Sequence, residues 1–203
     1  MARTIAVLAV QGAFAEHEAR LRQLGANVVE LRQAADLEQE FDGLVLPGGE
    51  STTQAKLLRE LGMFDELKSR IETGLPVLAT CAGLILLAKS VQGTGDLAHL
   101  DPTAAEKRLA VKGLGTLDVT VERNAYGRQL GSFHAHAPLA GREDEVPLTF
   151  IRAPKITQIG SGVETLVEYD GTPVAVRQGK QIAVAFHPEL DPDTSLHELF
   201  LSL

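Results

Sequence analysis

Apolar residues fall in short unbroken runs up to about residue 90. The first, Ile5-Ala6-Val7-Leu8-Ala9-Val10, ends at Gln11-Gly12, and a continuous run of that length reads as a strand buried on both faces of a parallel sheet. Over 14–24, Phe14, Leu21 and Leu24 are interleaved with Glu16, Glu18, Arg20 and Arg22, and Gly25 stands where a helix C-terminal cap is expected. Strands are expected again at 27–31, 43–46 and 75–79. Helices are expected at about 52–61 and 64–72, with a further helical stretch at 82–89. Alternating strands and helices imply right-handed βαβ units around a parallel sheet.

The pattern changes after Gly115. From there the chain is mostly strand candidates, at 117–121, 133–137, 148–151, 164–169, 174–177 and 182–186, with Asp170-Gly171 as the turn between two of them. Residues 92–114 are the least periodic and read as a surface excursion, and a short helix at 194–203 closes the chain. The expected fold class is α/β, with three layers and a mostly parallel central sheet flanked by helices. The sequence contains no internal repeat, low-complexity tract or linker, so residues 1–203 are expected to form one domain.

Composition narrows the function. With 19 Lys+Arg against 27 Asp+Glu the net charge is −8. Without a basic stripe, that balance argues against nucleic acid. No apolar run approaches the roughly 20 residues of a membrane span, and the N-terminus lacks a small-residue cleavage site after its apolar stretch, so a cytoplasmic location without membrane attachment is expected. One cysteine excludes an internal disulfide and a cysteine-based zinc site. Its thiol is either core filler or chemistry.

Context favours chemistry. In Val77-Leu78-Ala79-Thr80-Cys81-Ala82-Gly83-Leu84 a strand ends at Cys81 and a helix begins at once, with small residues around the turn, as a nucleophile elbow requires. A helix N-terminus favours the thiolate, and the Ala82 amide at the same turn can supply half of an oxyanion hole. A thiolate nucleophile needs a base, and the base needs an orienting group. His187-Pro188-Glu189 comes after the apolar run 182–186, where sites assemble in α/β sheets. If this stretch is extended, the His187 and Glu189 side chains point the same way and the carboxylate can fix the ring's tautomer.

A third strand end carries Pro47-Gly48-Gly49-Glu50-Ser51-Thr52. Its glycines let backbone amides approach a ligand, and Ser51 or Thr52 can cap the next helix. The Walker lysine is absent and Glu50 would repel phosphate, so an amide-type ligand fits better. His134 and His136 share a strand face, but no third ligand is nearby and a surface role is expected; no metal site is expected. Asp65-Glu66 and Glu143-Asp144-Glu145 read as solvated faces.

Thr80-Cys81-Ala82-Gly83-Leu84, Pro47 to Thr52 and Phe186-His187-Pro188-Glu189-Leu190 together resemble the triad-type class I glutamine amidotransferases, whose fold is flavodoxin-like. More narrowly, the chain resembles the glutaminase subunits of pyridoxal 5′-phosphate synthase, through Gln11-Gly12-Ala13, Val121-Glu122-Arg123-Asn124, Tyr126-Gly127-Arg128-Gln129 and Phe150-Ile151-Arg152-Ala153-Pro154. The stretch 93–113 is longer than the family pattern.

The resemblance implies hydrolysis of L-glutamine to L-glutamate and ammonia without a cofactor. Cys81 would attack the side-chain amide, His187 would protonate the leaving ammonia, Glu189 would orient His187, and a thioester would form. Gly48, Gly49 and Glu50 would hold glutamine or the oxyanion, with Ala82 as a further donor, and Arg123, Ile151 and Arg152 would line the rest of the substrate site. Gln11 would lie beside the oxyanion loop and the partner interface. The implied partner is a (β/α)₈-barrel synthase subunit that receives the ammonia and makes pyridoxal 5′-phosphate. A glutaminase for another synthase, a non-catalytic module of the same fold and a cysteine peptidase of related fold are the competing readings.

Overall fold

The computed structural model describes residues 2–93, 112–123, 132–142 and 144–203. Most of the excursion at 92–114, the motif residues Asn124 and Tyr126 to Gln129, and Glu143 lie outside the described residues.

The first half alternates as expected: β1 (Thr4–Leu8), α1 (Phe14–Gln23), β2 (Asn27–Leu31), a 3₁₀ turn (Ala34–Glu38), β3 (Gly43–Leu46), α2 (Ser51–Glu60), α3 (Phe64–Glu72), β4 (Val77–Thr80) and α4 (Ala82–Leu87). Then come β5 (Ala88–Gln92), β6 (Leu117–Glu122), β7 (Ser132–Pro138), β8 (Glu145–Ile151), β9 (Lys155–Ile159), β10 (Glu164–Tyr169), β11 (Thr172–Gln178) and β12 (Gln181–Val184). A 3₁₀ turn (Pro188–Leu190) and α5 (Ser195–Leu201) close the fold.

Among the described residues seven strands form the central sheet, in the order β10-β11-β12-β4-β3-β1-β2. The β2, β1, β3, β4 and β12 neighbours pair parallel, while β11 pairs antiparallel with both β12 and β10. From β1 the chain steps outward to β2, and from β3 it steps the other way to β4. Right-handed crossovers in opposite directions put α1 on one face and α2 and α3 on the other. This gives the three-layer α/β arrangement expected from the pattern. Ile5, Ala6, Val7 and Leu8 are fully buried, as are Leu44, Val45 and Leu46 on β3 and Val77, Leu78 and Ala79 on β4, which accounts for their unbroken apolar runs.

The structure departs from the pattern in three places. The helical stretch stops at Leu87, and Ala88–Gln92 is a strand pairing parallel with β6. No Gly or Pro punctuates Leu86-Leu87-Ala88 to announce the change. β9, which completes a three-stranded sheet with β5 and β6, was not expected because only Ile156 of its five residues is buried. The last central strand ends at Val184, so His187 and Glu189 lie in a turn beyond it.

Candidate active site

Three loops leave the carboxyl ends of three neighbouring parallel strands. Gly48-Gly49 follows β3, Cys81 follows β4 and His187 follows β12, with β4 paired to both of the others. Adjacent strands lie roughly 4.8 Å apart, so residues far apart in sequence converge across two strand spacings.

Cys81 forms the bend between β4 and α4. Its φ of 49° lies in the left-handed region, which a residue with a Cβ adopts only under constraint. The constraint comes from both sides: the Cys81 N–H donates to Val184 O at 2.8 Å, and the Cys81 carbonyl accepts from Ile85 N–H at 3.3 Å. A Cβ on Gly83 would overlap the Leu46 carbonyl, so only glycine lets α4 sit this close to β3. Ala82 opens α4, and its amide has no partner within that helix. Cys81 is 7% exposed, and its sulfur lies 4.0 Å from Ile151 O.

His187 Nδ1 donates to Glu189 Oε1 at 2.6 Å. The contact is made through the 3₁₀ turn Pro188–Leu190, which corrects the expectation that an extended His-x-Glu stretch aligns the two side chains. The His187 N–H donates to Thr149 O at 2.8 Å, tying the turn to β8. Burial works against a charge on the ring, but the neighbouring Cys81 sulfur and the hydrogen-bonded Glu189 carboxylate push its pKa up to about 10. His187 therefore holds its proton at neutral pH. Glu189 is 2% exposed; burial opposes its charge, but the facing His17 and the bond from His187 hold it below the ordinary carboxylate value.

The Gly48-Gly49 turn packs against this ring. A Cβ on Gly48 would overlap His187 Cε1 and lie 3.0 Å from Nδ1, and one on Gly49 would overlap Gln11 Oε1. The Ala13 N–H donates to Gly48 O at 3.1 Å, which turns that carbonyl toward the loop after β1 and sends the Gly49 N–H the opposite way across the trans peptide. The Glu50 N–H donates to Gln11 Oε1 at 2.8 Å. Gln54 Nε2 donates to Gln11 O at 3.0 Å and Pro47 O at 3.1 Å. Gln11 thus sits beside the turn.

The helix cap differs from expectation. Glu50, rather than Ser51 or Thr52, caps α2: its carboxylate accepts from Thr52 N–H at 3.0 Å, Thr53 N–H at 2.8 Å and Thr53 Oγ1 at 2.6 Å. Burial pushes its pKa up, and the hydrogen bonds from Thr53 and Thr52 outweigh that and lower it. Arg123 reaches the same helix start, donating from Nη1 to Thr52 Oγ1 at 2.8 Å. Ile151 is 36% exposed beside the sulfur, and Arg152 is exposed with a φ of 44°.

Two buried histidines near Glu189 are not announced by any motif. His17 and His197 are both fully buried, with His17 Nδ1 3.0 Å from His197 Nε2. The signal for His17 is its place between Phe14 and Leu21 on the inward stripe of α1. His134 is exposed and shares a 2.9 Å hydrogen bond with Thr149 Oγ1. Among the described residues no group of three His, Cys, Asp or Glu is placed to hold a metal, and no helix is long and apolar enough to cross a membrane.

The SNO glutamine amidotransferase family model matches residues 7–203. The pyridoxal 5′-phosphate synthase subunit PdxT of Methanocorpusculum labreanum is 50% identical over 199 residues, covering 98% of this chain and 96% of that protein. PdxT of Desulfitobacterium hafniense is 51% identical over 197 residues (97% and 91%), and PdxT of Bifidobacterium longum is 47% identical over 202 (97% and 98%). A crystal structure of a glutamine amidotransferase superposes with a TM-score of 0.86 at 43% identity, covering 98% of this chain and 97% of that one. A putative GMP synthase subunit from Thermoplasma acidophilum, with a TM-score of 0.63 at 15% identity (100% and 94% covered), shares the fold alone. This chain belongs to the SNO glutamine amidotransferase family.

Proposed function

We propose that this protein is the glutaminase subunit of a pyridoxal 5′-phosphate synthase, acting as one domain in the cytoplasm. It converts L-glutamine and water to L-glutamate and ammonia, and passes the ammonia to a barrel synthase subunit. The observation that carries the glutaminase reading is the His187–Glu189 hydrogen bond on the loop after β12, next to the strand that delivers Cys81, whose sulfur is near enough to raise the His187 pKa. The near-full-length identity to PdxT proteins supports the synthase assignment.

The Cys81 sulfur, beside a protonated His187, adds to the glutamine side-chain carbonyl. The oxygen takes up negative charge and is met by backbone amides at Ala82 and Gly49. His187 gives its proton to the departing nitrogen, the C–N bond breaks, and a glutamyl thioester remains. His187, now neutral, takes a proton from water as it attacks; the C–S bond breaks and glutamate leaves. Glu189 keeps the imidazole in the correct orientation and stabilises its charge.

Glu50 contributes by fixing the turn, since its carboxylate caps α2 while its amide is tied to Gln11. Arg123, anchored on Thr52, and Arg152 supply positive charge for the substrate's α-carboxylate, and Ile151 lines the pocket beside the sulfur. Gln11 links the turn to the loop after β1, which the proposal assigns to the partner interface.

Replacing Gly48 with alanine is expected to lower kcat by roughly 100-fold, the cost of moving a reacting group by about an ångström, because the new methyl displaces the His187 ring. Steady-state kinetics with a melting curve will check this; a kcat within twofold of the parent shows that the turn does not depend on glycine there. For the synthase assignment, ammonia release from glutamine is to be measured with and without a co-purified barrel partner. An increase of roughly tenfold or more, within the ordinary range of coupling between sites, is expected. No increase with any such partner refutes it.

A further inference from the structure

We propose that His17 is a positioning residue for the triad, donating its Nε2 proton toward the outer oxygen of Glu189 while His197 fixes the tautomer that makes this possible. The inference rests on the glutaminase reading above and adds to it a buried layer behind the three reacting groups.

The geometry is a chain of contacts through four elements. His17, on α1, places Nε2 3.1 Å from Thr80 Oγ1 and 3.4 Å from Glu189 Oε2. Its other nitrogen, Nδ1, lies 3.0 Å from Nε2 of His197 on α5. Thr80 is the last residue of β4, immediately before Cys81. One imidazole therefore touches the strand that carries the sulfur and the turn that carries the base.

Glu189 needs this partner. Its Oε1 is taken by His187, but among the described residues Oε2 is buried with no hydrogen-bond partner, and His17 Nε2, hydrogen-bonded to Thr80 Oγ1, stands 3.4 Å from it. A buried carboxylate oxygen left alone is costly. His17 is the group that faces it.

Hydrogen-bond accounting selects the tautomer. If His17 carries its proton on Nδ1, that proton points at His197 Nε2, and His197 must then carry its own on Nδ1. Among the described residues His197 Nδ1 is buried with no partner, so a buried N–H would go unpaired while a bare His17 Nε2 faced a carboxylate. With both protons on Nε2, His197 donates to His17 and His17 donates to the gap between Thr80 Oγ1 and Glu189 Oε2. The one unpaired atom is then a bare nitrogen, the cheaper outcome.

Both rings are held neutral. Burial lowers the pKa of His17, and the charge on His187 adds to that effect against the opposing pull of Glu189 and Glu16. His197 falls to about 3, through burial and the neighbouring His17 and Arg20 against the pull of Glu189. The charged and titratable groups facing Glu189 are thus His187 from its own turn, His17 and Arg20 from α1, and His197 from α5, with Arg20 Nε donating to the Glu189 carbonyl at 3.3 Å.

The first arm of the test needs no turnover. Long-range ¹⁵N–¹H spectra of the histidine-labelled protein at pH 7 are expected to show neutral Nε2–H tautomers for His17 and His197 and an imidazolium for His187. An Nδ1–H tautomer or an imidazolium at His17 overturns the proposal.

The second arm uses the glutaminase complexed with its barrel partner. His17→Leu is expected to lower kcat by roughly 10- to 100-fold, as loss of an outer partner that orients a histidine does in metal sites, with KM within about twofold. Without its donor the Glu189 carboxylate protonates more easily, so the acidic limb of the pH profile moves up by roughly one unit. His17→Gln restores an amide donor near Nε2 and is expected to recover most of kcat and return the limb. A His17→Leu variant with parental kcat and limb, or a glutamine variant no better than the leucine one, refutes the role. If the parent complex itself releases no ammonia, the glutaminase reading fails, while the tautomers still decide the geometry proposed here.

Discussion

Replacing Cys81 with alanine is expected to lower ammonia release from glutamine by on the order of 10⁴-fold or more, while the variant still co-purifies with the synthase barrel. Without the sulfur no thioester can form, and substrate binding plus the oxyanion donors are all that remain to speed direct attack by water. The fold is expected to tolerate the change. Alanine is smaller than cysteine, meets the same backbone conformation, and gives up only a 4.0 Å contact with Ile151 O and the sulfur's influence on His187. Ammonia assay and size-exclusion chromatography read the two parts separately. Glutaminase activity retained in this variant overturns the assignment of the nucleophile.

The second large effect is expected for Glu189→Gln, at roughly 10³- to 10⁴-fold in kcat, because a neutral amide neither stabilises the imidazolium nor dictates which ring nitrogen carries the proton. His187 also loses one of the two groups that push its pKa up to about 10, so the value falls toward its ordinary 6.5. The sign for stability comes from linkage. A folded-state pKa above the unfolded one stabilises fully below pH 6.5 and is lost as pH rises through about 10. Denaturant midpoints of parent and variant are therefore expected to differ most near neutrality, with the share due to His187 fading by pH 10. Parental kcat in the variant, or a stability gap that widens from pH 7 to 10, contradicts the role of Glu189.

Much of this site was legible because its residues stand where the sequence changes period. Cys81 comes directly after the run Val77-Leu78-Ala79, with Gly83 two residues on, and the elbow is readable from that spacing alone. Gly48-Gly49 and His187 likewise come after apolar runs, and parallel strands deliver such positions to one edge. What the sequence hid depends on tertiary context. The resemblance gives Glu50 a part in holding glutamine or the oxyanion, but Thr52 and Thr53 bond to its carboxylate once α2 forms. His187 and Glu189 meet through a 3₁₀ turn, which Pro188 permits without announcing. His17 and His197 lie 180 positions apart in sequence, and each reads locally as a polar residue on a helix. β5 and β9 carry too few buried residues for alternation to reveal them.

The position of β12 has a consequence for how the protein is made. It is the last of the described strands in sequence, yet it lies inside the central sheet, between β11 and β4. Until it is synthesised, Val77, Leu78, Ala79 and Thr80 present an unpaired apolar edge, the kind that recruits other chains. About 100 residues separate that edge from its partner, which is roughly 5 to 20 s of ribosomal elongation. Over the same interval the thiol exists without its imidazole. The nascent chain is thus most prone to aggregate while it is still chemically silent, and the addition of β12 and the turn behind it ends both conditions together.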